Sequence, residues 1–196
     1  MFLHGFLNSL LEGAGVTLSV ALASLAMAMA LGLLGAIAKL SKFRFARGLA
    51  YLYTTLIRGV PDLVLMLLIF YGGQVAVNEI ALRLGHEEYI DINPYVAGVL
   101  TIGFIFGAYL TETFRGAILA IPRGQAEAAL ACGMRRGQVL RRIVLPQMVR
   151  HAIPGFTNNW LVMVKATALV SIIGLDDMVH RANMAASATH WPGPKR

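Results

Sequence analysis

Charge is scarce in this chain: Asp, Glu, Lys and Arg supply 14% of its 196 residues, against about 25% in an ordinary globular domain. Set beside a hydrophobic fraction of 57% and a mean hydropathy of +0.66, that shortage excludes a conventional soluble core. It excludes intrinsic disorder too, which needs low hydrophobicity and high charge. The single cysteine, Cys132, leaves no internal disulfide. The histidines stand apart at positions 4, 86, 151, 180 and 190, with no metal-ligand spacing among them. No G-x-x-x-x-G-K-[ST] phosphate loop is present, so nothing marks the chain as a nucleotide hydrolase or other enzyme. What remains is an all-α integral membrane protein of one domain.

The charges that are present are sorted by place. Residues 39–47 hold Lys39, Lys42, Arg44 and Arg47 with no acid, and residues 113–151 hold seven arginines against Glu127 alone. Residues 78–93 invert the balance, with Glu79, Glu87, Glu88 and Asp91 against Arg83. Basic loops alternating with an acidic one orient a polytopic chain by the positive-inside rule. The net charge of +7 therefore reads as an orientation signal rather than a nucleic-acid surface.

Apolar runs place four spans, at about 13–38, 49–77, 94–112 and 153–175, following a short outer N-terminus at 1–12. A cleaved signal peptide would want a basic start, which residues 1–11 lack. Pro61 interrupts the second run and predicts a helix start or a kink there, with Arg58 and Asp62 four apart and able to pair across one helical face. Gly103 and Gly107 form a GxxxG, a weak sign of close helix approach on its own. Four spans leave both ends outside. Prolines 192 and 194 exclude a long helix in the tail, 190–196.

Between the third and fourth spans lies a polar cytoplasmic segment, about 115–150. It contains Glu127-Ala128-Ala129, then three residues to Gly133, then nine to Ile143-Val144-Leu145-Pro146. The pattern predicts a short helix over 126–131, a corner at Gly133, and an amphipathic helix over 135–145 stopped by Pro146. The bland alternative is an interfacial amphipathic helix with arginines on one side.

The spacing EAA-x3-G-x9-I-x-L-P resembles the motif of ABC importer permeases. Further stretches at 53–71, 107–116, 137–143, 154–160 and 167–171 are similar to permeases of the polar amino acid family, of the histidine/lysine-arginine-ornithine Q-type subunit. The resemblance covers most of residues 5–189. It implies an ABC type-1 permease core in a bacterial inner membrane, forming half of the path of an ATP-driven importer of basic or polar amino acids. A related M-type permease, a cytoplasmic ABC ATPase dimer and a periplasmic amino-acid-binding protein are the implied partners, together with membrane lipid. ATP and Mg would be used by the ATPase, with no cofactor bound by this chain. Glu127, Ala128, Ala129 and Gly133 are the implied ATPase-docking positions.

The family usually has five spans, and at 190–196 this chain departs from it, so a truncated permease remnant is the alternative. A membrane scaffold whose basic loop binds lipid is another, but it leaves the EAA spacing unexplained. Three ionisable residues remain. Glu112 and Arg115, three apart at the inner end of the third span, predict a local ion pair, with a place on the path or a subunit contact as the alternative. Lys165, mid-way along the fourth, is a candidate for the path or for a subunit contact, because a lone cation facing lipid is costly.

Overall fold

A computed structural model of the chain describes residues 7–86, 88–170 and 178–188. Among them the regular structure is helical throughout: α1 (Leu7–Leu40), α2 (Arg44–Arg58), α3 (Asp62–Arg83), α4 (Pro94–Leu119), α5 (Arg123–Ala131), α6 (Arg136–Val139), a π-helical turn (Leu140–Val144), α7 (Leu145–Val170) and α8 (Met178–Ala188). Three of the described helices, α1, α3 and α4, are long and apolar enough to cross a membrane. The expected spans 13–38 and 94–112 fall inside α1 and α4.

The expected span 49–77 is two helices. Residue 60 precedes a proline and is pushed out of the helical region, and Pro61 sits extended at φ −57°, ψ 135° as the cap of α3. Gly59 closes α2 by donating its N–H to the Thr55 carbonyl at 3.1 Å. Arg58 and Asp62 therefore do not share a helical face: one ends α2 and the other begins α3. Each lies at the dipole end that favours its sign. The expected span 153–175 lies within α7 as far as Val170. Its last residues and the tail 190–196 fall outside the described residues, as do residues 1–6 of the N-terminus.

The chain divides into two compact units. One gathers residues 1–25, 61–103 and 162–196. In it, α3 holds the loop that leads into α4. Gln74 accepts the Ile92 N–H at 2.9 Å and donates to the Ile90 carbonyl, while Asn78 accepts the Ile90 N–H at 2.8 Å and donates to the same carbonyl at 3.0 Å. Two amides thus satisfy backbone groups that no helix pairs. Asn93 caps α4 by accepting the Tyr95 N–H at 2.8 Å. Arg181 of α8 reaches Glu12 at 2.6 Å and the Ser9 carbonyl at 3.2 Å, which docks α8 on the start of α1.

The second unit gathers residues 26–60 and 104–161. Its core is a close crossing of α1 and α4. Ala28, Gly32 and Ala36 repeat every four residues on α1, a small-residue seam that lets backbones approach. A Cβ on Gly32 would stand 2.7 Å from the Leu110 Cβ. Gly107, one half of the GxxxG, is equally confined, with a Cβ there 2.8 Å from the Tyr53 hydroxyl and 2.9 Å from the Leu31 Cβ. Ile105, Phe106, Ala108, Leu110 and Thr111 are buried around it. Gly107→Val is expected to cost about 1–3 kcal/mol through overpacking. Thermal unfolding in detergent should show a lowered midpoint for Gly107→Val and none for Gly116→Ala, whose new methyl meets nothing within 4 Å.

Candidate functional site

The segment after α4 turns at Pro122, which caps α5 in an extended conformation. α5 starts at Arg123, three residues earlier than the expected 126. It ends in a Schellman closure: the Gly133 N–H bonds to the Leu130 carbonyl at 3.0 Å and the Met134 N–H to the Ala129 carbonyl at 3.1 Å. That pairing fixes the EAA-x3-G spacing physically, because the third motif residue supplies the carbonyl that the residue after the glycine must reach. Gly133 has φ +82°, the left-handed region. A Cβ there would touch nothing, so the requirement for glycine is one of backbone and not of space.

Of the docking positions implied by the resemblance, Glu127 and Ala128 are exposed on α5, Ala129 is buried beneath them, and Gly133 forms the exposed corner. The four lie on one short helix and its closing turn. Gln125 and Gln147 hydrogen-bond across to the start of α7.

Beyond the corner, the expected helix over 135–145 takes another form. α6 is a single turn whose Arg135 N–H is accepted by the Gln138 side chain at 2.9 Å. A π turn follows, and Pro146 does not stop the helix: it stands in the first turn of α7. The wider turn explains why. The Leu145 N–H reaches back to the Leu140 carbonyl, one residue further than in an α-helix. This shift in register takes place just before the position where proline has no N–H to give.

Where the Leu40 end of α1 crosses α4 lies a charge cluster. Glu112 pairs with Arg115 at 3.3 Å, the expected local pair, and also with Lys39, a residue of the basic stretch 39–47. The Lys39 side chain is almost wholly buried. It also donates to the Thr54 hydroxyl at 2.5 Å and lies 4.2 Å from the centre of the Tyr51 ring. Arg115 approaches the same ring at 5.9 Å. One carboxylate therefore ties α1, α2 and α4 together. The available signal was that Glu112 is the sole acid of residues 94–126, and a lone acid in an apolar helix requires a cation. α7 joins α4 nearby, where Asn159 donates to the Thr113 hydroxyl at 2.9 Å.

Lys165 is not brought to this cluster. It is exposed on α7, and no ion pair or hydrogen bond among the described residues includes its ammonium.

Residues 16–190 match the family of binding-protein-dependent transport system inner membrane components. The histidine/lysine/arginine/ornithine transport system permease protein HisQ of Salmonella typhimurium is 55% identical over 97% of this chain and 83% of its own length. The nopaline transport system permease protein NocQ of Agrobacterium fabrum is 43% identical over 96% of this chain and 80% of its own. Among solved structures, an amino acid ABC transporter crystallised with histidines superposes with a TM-score of 0.79 at 30% identity, covering 97% of this chain and 85% of that one.

Removing the Lys39 partner leaves Glu112 with Arg115 alone. Lys39→Met is expected to lose on the order of 3–5 kcal/mol, the usual result of breaking a buried pair from one side. Lys39→Met combined with Glu112→Gln should recover part of that loss, read as a coupling energy from unfolding midpoints of the four variants in detergent.

Proposed function

The chain belongs to the family of binding-protein-dependent transport system inner membrane components, and from that premise we propose that it forms half of the translocation path of an importer for basic amino acids. Its similarity to the HisQ and NocQ permeases makes it a membrane-embedded permease subunit of the amino acid ABC class. The single observation that carries the substrate class is 55% identity with the HisQ permease across nearly the whole chain. Histidine, lysine, arginine and ornithine are the cargo on this reading. α7 is its fourth crossing, after α1, α3 and α4.

Power comes from outside the chain in this scheme. A cytoplasmic ATPase dimer, using ATP and Mg, docks on α5 through Glu127, Ala128 and Ala129. An M-type permease completes the path, and a periplasmic binding protein delivers the amino acid. The geometry suits docking. α5 presents an exposed face of alanines and one carboxylate, small enough for a partner's groove to close over. The Schellman corner and the Gln125–Gln147 bond couple that face to α7. A push on α5 is thereby conveyed to a long helix rather than dissipated in a loop.

The test is co-purification of the tagged chain with the ATPase and the second permease, beside Gly133→Arg. A side chain at φ +82° costs roughly 1–2 kcal/mol of local strain, which opens the corner without touching the spans. Recovery of the ATPase is expected to fall at least tenfold with Gly133→Arg while the second permease is retained. Undiminished recovery and uptake would remove α5 as the docking site. Lys165→Met is checked separately by the amount of second permease recovered and by uptake of radiolabelled arginine into vesicles. Normal recovery with uptake reduced tenfold or more assigns Lys165 to the path, and lost recovery assigns it to the subunit contact.

A further inference from the structure

Two features of the second unit, neighbours along the chain, are given no task by the transport scheme. The first is an open cleft of about 620 Å³ lined by Arg135, Gly137, Gln138, Arg141 and Arg142. All three arginines are exposed, and none makes an ion pair among the described residues. The second is a groove of about 420 Å³ with only apolar residues on its walls, among them Met29 and Leu33 of α1, Phe114 of α4, and Leu145, Val149 and Ile153 of α7. Leu145 follows Arg142 by three residues, so the groove begins about one helical turn beyond the arginines.

The dimensions suggest an occupant. From Leu145 to Phe156, the last α7 residue on the groove wall, α7 advances eleven residues, or roughly 16 Å at about 1.5 Å per residue. That is close to half of a hydrocarbon layer about 30 Å thick. The α1 wall agrees: Met29 lies eleven residues before Leu40, the inner end of that helix. The groove thus has the depth of one leaflet, is dry along its walls, and has unpaired guanidinium groups at its cytoplasmic mouth. A carboxylate of a docked protein would use the arginines and leave the groove empty, as would free phosphate. A neutral lipid would use the groove and leave the arginines unpaired. An anionic phospholipid uses both, because guanidinium binds phosphate oxygens bidentately and a basic cluster beside a span attracts the anionic leaflet.

We propose that the cleft and the groove that follows it along the chain together bind an anionic phospholipid of the cytoplasmic leaflet, with the headgroup phosphate on Arg141 and Arg142 and one acyl chain along Leu145, Val149 and Ile153. It rests on the membrane orientation assigned above, but not on the cargo or on the ATPase. The site straddles the π turn, so a bound lipid bridges the docking segment and α7 across a change of helix register.

The test is native mass spectrometry of the assembled transporter in detergent, with dioleoylphosphatidylglycerol or dioleoylphosphatidylcholine added at equal concentration. The wild type is expected to retain phosphatidylglycerol at least tenfold more than phosphatidylcholine. Arg141→Gln with Arg142→Gln should bring the two lipids level, and Val149→Trp should reduce retention of both at least fivefold. Ile153→Phe fills the same groove at another exposed position and should act like Val149→Trp, which separates blocking from misfolding. Equal retention by the wild type, or a preference unchanged by the arginine variants, overturns the proposal. So does displacement of the lipid by glycerol phosphate, which would mark an ion site. Lipid held by the isolated chain and absent from the assembly also overturns it, because a protein neighbour then covers the groove. Each readout is independent of uptake, so its failure is distinct from failure of the transport reading.

Discussion

A single carboxylate organises the packing of α1, α2 and α4. Glu112 lies in an apolar helix, where an unpaired charge is expensive, and its cations come from two directions: Arg115 from its own helix and Lys39 from α1. The second pairing is possible only because Ala28, Gly32 and Ala36 remove bulk from α1 where it meets α4. The Lys39 ammonium then has spare donors, and Thr54 takes one, which docks α2 on the same point. A buried ion pair is weak evidence for net stability, since desolvation offsets much of the attraction. Its value here is in register. Sliding α1 by one residue along α4 would strand both charges and drive the Gly32 and Gly35 positions off their contacts with Leu110 and Thr111.

That fixed crossing bears on α5, the segment proposed for docking. α4 continues past the cluster to Leu119 and turns at Pro122 into α5, so the proposed docking face is two short steps from Glu112 along the chain. On its other side α5 closes through the Gly133 corner and enters α7 by way of the π turn. The two joints of the segment differ in regularity. The Schellman closure fixes the corner with two hydrogen bonds, whereas a π turn is a less regular joint of the kind often found at functional sites.

Much of this was legible in the sequence because it is local. The alternation of basic and acidic loops, the corner at Gly133 and the pairing of Glu112 with Arg115 each depend on residues a few positions apart. The break at Pro61 was visible, but the choice between a kink and a new helix was not. It depends on whether Gly59 and residue 60 find other partners, and Gly59 does, in the carbonyls of Thr55 and Leu56. Pro146 misled for a related reason. A proline stops an α-helix when its missing N–H and its ring meet regular i−4 geometry, and nothing in the residues 140–144 announces the wider turn that removes the conflict. Lys39 was unreadable as a partner of Glu112, since 73 residues separate them and only the packing of α1 on α4 brings them together.

Lys39 and Lys165 make the same point from opposite sides. By composition alone they look reversed: Lys39 belongs to a basic loop, where a lysine usually orients the chain, while Lys165 sits in an apolar stretch, where it draws suspicion as a site. The fold buries the first and leaves the second exposed on α7. The difference follows from what each helix has at its side. α1 lies against a helix with a carboxylate within reach, and the Lys39 ammonium meets Glu112 while standing over the Tyr51 ring. Lys165 makes no ion pair among the described residues and is exposed, so its ammonium is open to something outside the chain. On the proposed reading, in which a second subunit completes the path, an exposed cation on a helix face is where a neighbour or the cargo would meet it.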